Sequence, residues 1–355
     1  TVIITFISMK FEQIMPSATT MADATLPTVA MDTEAGTQYN VLHGYTSELD
    51  STLFYGNITP VAKDRKLTVT INTYGEDIEG VAYKIRSLED KSLIENTEVS
   101  DYDNAGSSIN VTFNIKNLLD TGKEYALEIV LKTKKHEAVY YYTRIVYGVD
   151  YDLQKKLDFV MDFNACTFDD SRLKDIAGYL ETSSSGDNTN YGKVNINCSL
   201  SQVGWGDLDP YVESDIMPEV ISVDDDVAIL RLSYRVGAAN DYSSSDTYTV
   251  SEYYRIRQTN SGFYLLNFER EMNQVFDARN DLTSTAKINL GINSSTDVNC
   301  ASDEKGIYTY FVNQGSLWCF NSSSQTFTRV FSFKGEETDS VREGYDAHNI
   351  KIMKI

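Results

Sequence analysis

The segment Ile115–Thr133, IKNLLDTGKEYALEIVLKT, decides how the first half of this 355-residue chain folds. Apolar side chains occupy every second position of its latter part, at Tyr125, Leu127, Ile129 and Leu131. A period of two is the pattern of a β-strand with one buried face. The preceding residues, Asp120-Thr121-Gly122-Lys123, have the composition of a tight turn. The segment therefore predicts a turn that leads into a half-buried strand.

Four further runs with the same period lie on either side of this segment. They are separated by polar turns such as Tyr74-Gly75-Glu76-Asp77. The apolar positions of these runs fall within Leu67–Ile71, Val81–Ile85, Ile109–Ile115 and Val139–Ile145. Successive short strands of this kind predict a β-sandwich over residues 40–149.

The same segment resembles the E–F corner of fibronectin type III-like domains. In that corner a leucine enters the core, a glycine-containing turn follows, and a tyrosine opens the next strand. The matching residues here are Leu118 or Leu119, Gly122 and Tyr125. The resemblance covers about 100 residues, the size of one such domain, and it implies an Ig/FnIII-like β-sandwich. The Cys…Trp…Cys pattern of true immunoglobulin domains does not occur in it.

The periodicity changes near residue 150. Apolar residues at Leu153, Leu157, Val160 and Met161 share one helical face, and Asp150 or Asp152 is a suitable cap for the start of that helix. The helical spacing is repeated over Leu173–Leu180. Long alternating runs follow at Val227–Val236, Tyr248–Ile256 and Phe263–Arg270. Helices followed by long antiparallel strands predict an α+β domain over residues 150–279.

One hairpin of this region carries a second resemblance. The sequence YYRIRQTNSGFYLLNFER, residues 253–270, resembles the closing strands of NTF2-like or cystatin-like folds. The resemblance implies a strongly curved sheet covered by helices. Glu252 interrupts the apolar face of the strand that leads into this hairpin.

Residues 280–355 contain short β-runs at 286–290, 307–313, 316–320, 327–333 and 349–355. The stretch GIYTYFVNQGSLWCFNSSSQTFTRVFSF, residues 306–333, resembles one blade of a β-propeller. A propeller has typically four to eight blades of four strands, and this region supplies one blade and part of another. The alternatives are a partial β-propeller or a small β-meander.

The first residues of the chain are apolar. Thr1–Phe11, TVIITFISMKF, has apolar or neutral residues up to Lys10, whereas a membrane-spanning helix needs about 20. We interpret residues 1–15 as the end of a membrane anchor or signal segment. The Pro-, Ala- and Thr-rich residues 16–39 are then a linker. The alternative is an ordinary first β-strand. The anchor would place the protein in an extracytoplasmic, membrane-anchored or cell-surface location.

The charge limits the classes of partner. The chain has 31 basic and 52 acidic residues and a net charge of −21. So negative a surface repels phosphate backbones, which argues against nucleic-acid binding, and it disfavours docking on anionic lipid. We expect contact with a membrane only through the N-terminal anchor. The remaining partner is an unknown protein or carbohydrate.

No sequence motif indicates catalysis. The nucleophile-elbow, phosphate-loop and zinc-protease patterns do not occur, and the three histidines, His43, His136 and His348, lie in different segments. We therefore predict no catalytic residue, no cofactor and no metal. The cysteines, Cys166, Cys198, Cys300 and Cys319, have no metal-binding or redox spacing. Buried free thiols are favoured, and one or two disulfides remain the alternative.

The candidate ligand-binding residues are Trp205, Asp207 and Asp209, in the sequence Gly204-Trp205-Gly206-Asp207-Leu208-Asp209. An aromatic ring beside carboxylate acceptors has the composition of a sugar-binding platform. A loop anchored by a buried tryptophan has the same sequence pattern.

Taken together, the patterns resemble a membrane-anchored bacterial cell-surface modular protein. The predicted modules are a fibronectin type III-like β-sandwich, an NTF2/cystatin-like α+β domain and propeller-like C-terminal repeats. Both ends of the chain read as cut from a longer protein. We predict a non-catalytic binding, adhesion or scaffold module. The alternative is an accessory or substrate-binding part of a secreted glycan- or peptide-processing enzyme.

Overall fold

The computed structural model describes residues 26–102, 106–148, 151–239, 245–278, 283–284, 287–288, 290, 299–332 and 350–353. The fold is mainly β, as predicted. The chain divides into two compact units. Of the described residues, those up to Met272 form the larger unit, and those from Asn273 onwards form the smaller.

Two sheets pack face to face in the first part of the larger unit. Their strands are β1 Thr28–Asp32, β2 Gln38–His43, β3 Ile58–Val61, β4 Lys66–Asn72, β5 Ile78–Ser87, β6 Leu93–Val99, β7 Ser108–Asn114, β8 Glu124–Thr133 and β9 Val139–Tyr147. One sheet has the order β2-β1-β4-β7 and the other β3-β9-β8-β5-β6. The ring of Tyr83 stacks on Phe113 of the opposite sheet, with centroids 4.8 Å apart. The five strands predicted from alternation are confirmed as β4, β5, β7, β8 and β9.

The linker prediction for residues 16–39 is wrong for its second half. Residues 28–32 form β1, which pairs with both β2 and β4 in the middle of a sheet. Val29, Ala30 and Met31 have no exposed surface. A strand buried on both faces does not alternate, so the sequence TVAMD gave no strand signal. Residues 1–25 lie outside the described part of the chain.

The predicted corner between β7 and β8 is present. Leu119 is buried and Leu118 is exposed, so Leu119 is the residue that enters the core. Gly122 has a φ of 75° in the turn, a conformation that favours glycine. The hydroxyl oxygen of Tyr125 accepts the backbone N–H of Asp120 at 2.8 Å. This bond is the tyrosine corner found in many β-sandwiches.

The second part of the larger unit combines helices with one six-stranded sheet. Its elements are α1 Leu153–Thr167, a 3-10 helix Leu173–Tyr179, β10 Lys193–Asn195, α2 Leu200–Val203, β11 Tyr211–Val212, β12 Met217–Val223, β13 Val227–Ala239, β14 Ser245–Thr259 and β15 Gly262–Gln274. The sheet order is β10-β15-β14-β13, and both β11 and β12 pair with β13. Helix α1 packs on the sheet through Phe163, whose ring centroid lies 5.6 Å from Tyr254 and 5.4 Å from Phe268.

The two parts of the larger unit share one hydrophobic core, although the sequence predicts two domains here. Asn40 of β2 links them. Its side-chain oxygen accepts the N–H of Val220 in β12 at 2.7 Å. Its side-chain nitrogen donates to the carbonyl of Ile58 at 2.9 Å. The side chain of Asn40 is fully buried, so these bonds hold three strands together away from solvent.

The smaller unit contains a four-stranded antiparallel meander. The strands of the smaller unit are β16 Thr283–Ser284, β17 Lys287–Ile288, β18 Cys300–Ser302, β19 Tyr308–Asn313, β20 Ser316–Asn321 and β21 Thr326–Ser332. The order β18-β19-β20-β21 forms the meander, and β16 pairs with β17. Four phenylalanines form its core, Phe276, Phe311, Phe320 and Phe327. The run predicted over 349–355 is not a strand at residues 350–353. A partial propeller stays a prediction.

Among the helices that the structure describes, none combines the length and apolarity needed to cross a bilayer. The predicted anchor, residues 1–15, lies outside the described residues.

Candidate functional site

Residues 44–57, here called the strap, cross the outer face of the five-stranded sheet. The strap begins beside β9, where Tyr45 and Tyr140 form a β-bridge. Phe54 then stacks on the outward ring of Tyr142, with centroids 4.5 Å apart. The hydroxyl oxygen of Tyr142 accepts the N–H of Leu49 at 2.7 Å. Backbone and aromatic contacts thus fix both ends of the strap against the sheet.

A cavity of about 360 Å³ lies between the strap and the sheet. This volume is within the range of small-molecule sites, roughly 300–1,000 Å³. The cavity is lined by Glu48, Leu49, Asp50 and Ser51 of the strap, by Arg86, by Lys91 and by Glu128. The outward-facing side chains of β5 and β8 point towards the strap. In the register of these two strands, Lys84 lies directly opposite Glu128, and Arg86 lies opposite Ala126.

Most charges around this strap cavity are paired. The ammonium of Lys84 lies 2.7 Å from Glu128 and 2.9 Å from Glu48. Burial opposes the charge on Lys84, but its bonds to Glu128 and Glu48 outweigh burial and raise its pKa. Lys91 lies 2.7 Å from Asp50 at the mouth of the cavity. Its hydrogen bond, with those from Thr52, lowers the pKa of Asp50 to about 2.

Two polar groups beside the strap cavity have few partners among the described residues. Arg86 donates only one long hydrogen bond, from Nη1 to the carbonyl of Lys91 at 3.5 Å, and it forms no ion pair with any carboxylate of the described residues. Arg86 is only half-buried, so its remaining N–H donors are open to solvent or to a ligand. The hydroxyl of Ser51 is buried and has no hydrogen-bond partner in the part of the chain that the structure describes, which is an exception among buried polar groups.

A second polar centre lies beneath helix α1. Arg270 Nε is 2.7 Å from Glu252 Oε1, and both side chains have no exposed surface. Arg270 Nη1 also donates to the carbonyl of Val203 at 2.8 Å. The other oxygen of Glu252 accepts the hydroxyl of Tyr254 at 2.6 Å and the amide of Asn164 at 2.8 Å.

This centre holds its charges in place. Burial opposes the charge of Arg270, but the negative charge of Glu252 outweighs burial and raises the arginine pKa. Burial first, and Glu252 second, raise the pKa of Tyr254 well above its usual value. Arg270 therefore stays charged and Tyr254 stays protonated around neutral pH. We assign to this centre a structural role.

The structure places the sequence-predicted site residues in this neighbourhood, but not as a sugar platform. Trp205 is 1% exposed. Its indole N–H donates to Thr167 at 3.2 Å, and the guanidinium of Arg270 lies 3.6 Å from its ring centroid. A ring covered in this way cannot stack on a sugar, so the ligand-binding prediction for Trp205 is wrong. Asp207 and Asp209 are exposed, and the buried ring offers them no aromatic partner.

The histidines and cysteines are dispersed. Burial lowers the pKa of His43 to about 4, His136 lies in the turn between β8 and β9, and His348 is outside the described residues. Within the described ranges, no group of three or more His, Cys, Asp or Glu side chains is placed to hold a metal ion. The four cysteines are free thiols. Cys166 and Cys198 are buried as expected, whereas Cys300 is exposed.

Sequence reasoning missed both polar centres. Glu252 and Arg270 fall on the inward phase of their strands, and a charge at such a position is a usable signal for a buried ion pair. The amino-acid sequence indicates the strap cavity less clearly. Arg86 and Ser51 are far apart in the chain, and only the strand register brings them together.

Comparisons with known proteins identify no relative. No protein-family model matches the chain, and no curated protein matches it. Among solved structures, it is matched with the sporulation control protein Spo0M of Bacillus subtilis. That match has 8% sequence identity, covers 61% of this chain and 86% of the other, and has a TM-score of 0.19. A TM-score this low carries no argument about fold or function.

Proposed function

We propose that this chain is a non-catalytic binding module of a membrane-anchored, extracytoplasmic surface protein. We propose further that its β-sandwich is Ig/FnIII-like and that it binds its ligand in the strap cavity. The observation that carries the proposal is Arg86, which lines this cavity and forms only one long hydrogen bond and no ion pair within the described residues.

The construction of the strap supports binding at this place. The strap is held by the Phe54–Tyr142 stack and by the hydrogen bond from Leu49 to Tyr142. Because the residues that form the walls of the cavity are already fixed, they lose little conformational entropy when a ligand binds. The other two cations of the site are already paired, Lys84 with Glu48 and Glu128, and Lys91 with Asp50.

The anchored location rests on the sequence alone. Residues 1–9 are apolar or neutral, and residues 16–25 have the Pro-, Ala- and Thr-rich composition of a flexible linker. The net charge of −21 suits a solvated exterior. These features support the proposed location, and they are independent of the structure of the cavity.

Binding is tested by incubating the purified chain with immobilised glycans and peptides. We expect retention on a subset of these ligands, and we expect Arg86→Glu to abolish it. The matched control is Arg231→Glu, because Arg231 lies on β13 and pairs with Glu219. Absence of any retention, or retention that Arg86→Glu leaves unchanged, would contradict binding at the strap cavity.

Location is tested by protease shaving of intact cells that express the full-length protein. We expect the β-sandwich to be cleaved while a cytoplasmic marker stays intact. Protection of the chain until the cells are lysed would remove the extracytoplasmic part of the proposal.

A further inference from the structure

The strap cavity also indicates the chemical class of its ligand. We propose that it binds a single carboxylate group through Arg86, on a ligand of about monosaccharide or amino-acid size. The inference rests on the proposed binding function and adds the chemistry of the ligand to it.

One cation of the cavity has no carboxylate partner. Lys84 is shared by the carboxylates of Glu48 and Glu128, and Lys91 pairs with Asp50. Arg86 forms no ion pair with any carboxylate of the described residues, although the three acids and three cations of the site balance in number. A guanidinium has five N–H donors in a planar fork, and Arg86 uses one of them in a long bond. Carboxylates and phosphates both accept two parallel bonds from such a fork.

The same charges favour a carboxylate over a phosphate. Three acidic side chains, Glu48, Asp50 and Glu128, line the cavity together with Arg86. A ligand with one negative charge gains the ion pair with Arg86. A dianionic phosphate adds a second charge that those three carboxylates repel. Lys84 and Lys91 neutralise two of the three acids, so the third repels any anion, and it repels a dianion about twice as strongly as a monoanion.

The space beside Arg86 suits a small group. Its partner across the β5–β8 ladder is Ala126, whose methyl side chain leaves the guanidinium uncovered on that side. Ser51 lines the cavity from the strap, although its hydroxyl is buried. A cavity of about 360 Å³ has room for one sugar ring or one amino acid.

The test is calorimetric titration of the full chain with two matched sets of probes. The first set is glucuronate, glucose and glucose 6-phosphate. The second is N-acetylglycine and N-acetylglycinamide, which represent a free and a blocked peptide terminus. We expect at least one carboxylate probe to bind saturably in the roughly millimolar range or tighter. Its neutral or phosphorylated counterpart should bind at least about tenfold more weakly, since a charge-assisted bond is lost or a repulsion added.

Variants assign the effect to this site. Arg86→Gln should remove the preference for the carboxylate probe, and Arg86→Lys should retain part of it, because lysine keeps the charge but not the fork. Arg231→Gln is the surface control and should bind like the wild type. Circular dichroism and a thermal melt confirm that each variant is folded.

The outcomes separate this inference from the broader proposal. If neither carboxylate probe binds, if the neutral or phosphorylated probes bind equally well, or if Arg86→Gln keeps the preference, the carboxylate inference is overturned. The binding-module proposal survives that result when the arrays still show a ligand that depends on Arg86. If the arrays show no ligand either, both fail.

Discussion

Arg270 and Glu252 form an ion pair with a 2.7 Å contact between Nε and Oε1, and neither side chain has any exposed surface. The pair lies between the sheet and the loop that carries Trp205, whose ring covers the guanidinium. Removing water from two charges is unfavourable, and only close contact with further hydrogen bonds offsets it. Glu252 has those further bonds from Tyr254 and Asn164.

The first prediction follows from this pair. Glu252→Gln leaves Arg270 buried without a counter-charge, so we expect the free energy of unfolding to fall by about 3–5 kcal/mol. Urea denaturation followed by circular dichroism measures the loss. The matched control is Glu271→Gln, because Glu271 is exposed and lies 3.7 Å from Lys193. A loss no larger than that of the control would show that the buried pair does not stabilise the fold.

The second prediction concerns two neighbouring lysines of α1. Lys156 is fully buried, and its ammonium donates to the carbonyls of Tyr151, Asp224 and Asp225 at 2.6, 2.6 and 3.0 Å. Lys156→Met removes all three donors, so we expect a loss of about 3 kcal/mol and faster amide exchange in the turn at 224–226. Lys155→Met, at an exposed position, should change both quantities little. Equal effects of the two substitutions would contradict the interpretation that the hydrogen bonds of Lys156 hold this turn against α1.

The sequence predicts the strands that have one solvent-facing side. The runs that become β4, β5, β7, β8 and β9 alternate because their outward residues remain polar or half exposed. The strands that the sequence does not predict lack a regular alternation of apolar and polar residues for other reasons. Strand β1 is buried throughout, and β3 contains Pro60, which lacks a ladder donor and is tolerated because β3 is an edge strand.

The candidate site is harder to predict for a related reason. The Gly204-Trp205-Gly206 sequence has the composition of an exposed loop, yet the ring is buried because Arg270, a distant residue, lies against it. Ser51 and Arg86 come together only because the strap crosses β8 to reach β5. Such contacts depend on strand order and register, which the period of a single strand does not contain.

The third prediction tests the tyrosine corner. Tyr125→Phe removes the hydroxyl that accepts the N–H of Asp120, and leaves the ring in the core. We expect a loss of about 1 kcal/mol in the free energy of unfolding. Tyr264→Phe is the control, since Tyr264 is among the exposed aromatic residues. The corner would be dispensable if both variants unfolded at the same urea concentration.

The fourth prediction is a pH dependence. Burial lowers the pKa of His43 from 6.5 to about 4, so the folded protein keeps this residue neutral where the unfolded chain protonates it. The stability due to neutral His43 is fully present above about pH 6.5 and is lost as the pH falls towards 4. We expect His43→Gln to show a shallower decrease in the free energy of unfolding between these two pH values. Identical slopes for the variant and the wild type would refute the shifted pKa.

The last prediction connects the strap to the cavity beneath it. Phe54 and Leu53 are neighbours in the strap, but Phe54 stacks on Tyr142 whereas Leu53 is 67% exposed. Phe54→Ala removes the stack, so we expect the strap to be cleaved faster in limited proteolysis, while the thermal melt of the whole unit shifts little. Leu53→Ala should leave the cleavage rate unchanged.

The same two variants test whether a fixed strap matters for binding. A mobile strap must be ordered when a ligand enters, which lowers affinity without removing a single ligand contact. We therefore expect Phe54→Ala to weaken carboxylate binding while Arg86 still confers the preference, and Leu53→Ala to bind like the wild type. Undiminished affinity in Phe54→Ala, together with faster cleavage, would mean that the ligand contacts the sheet alone and that the strap is not a wall of the site.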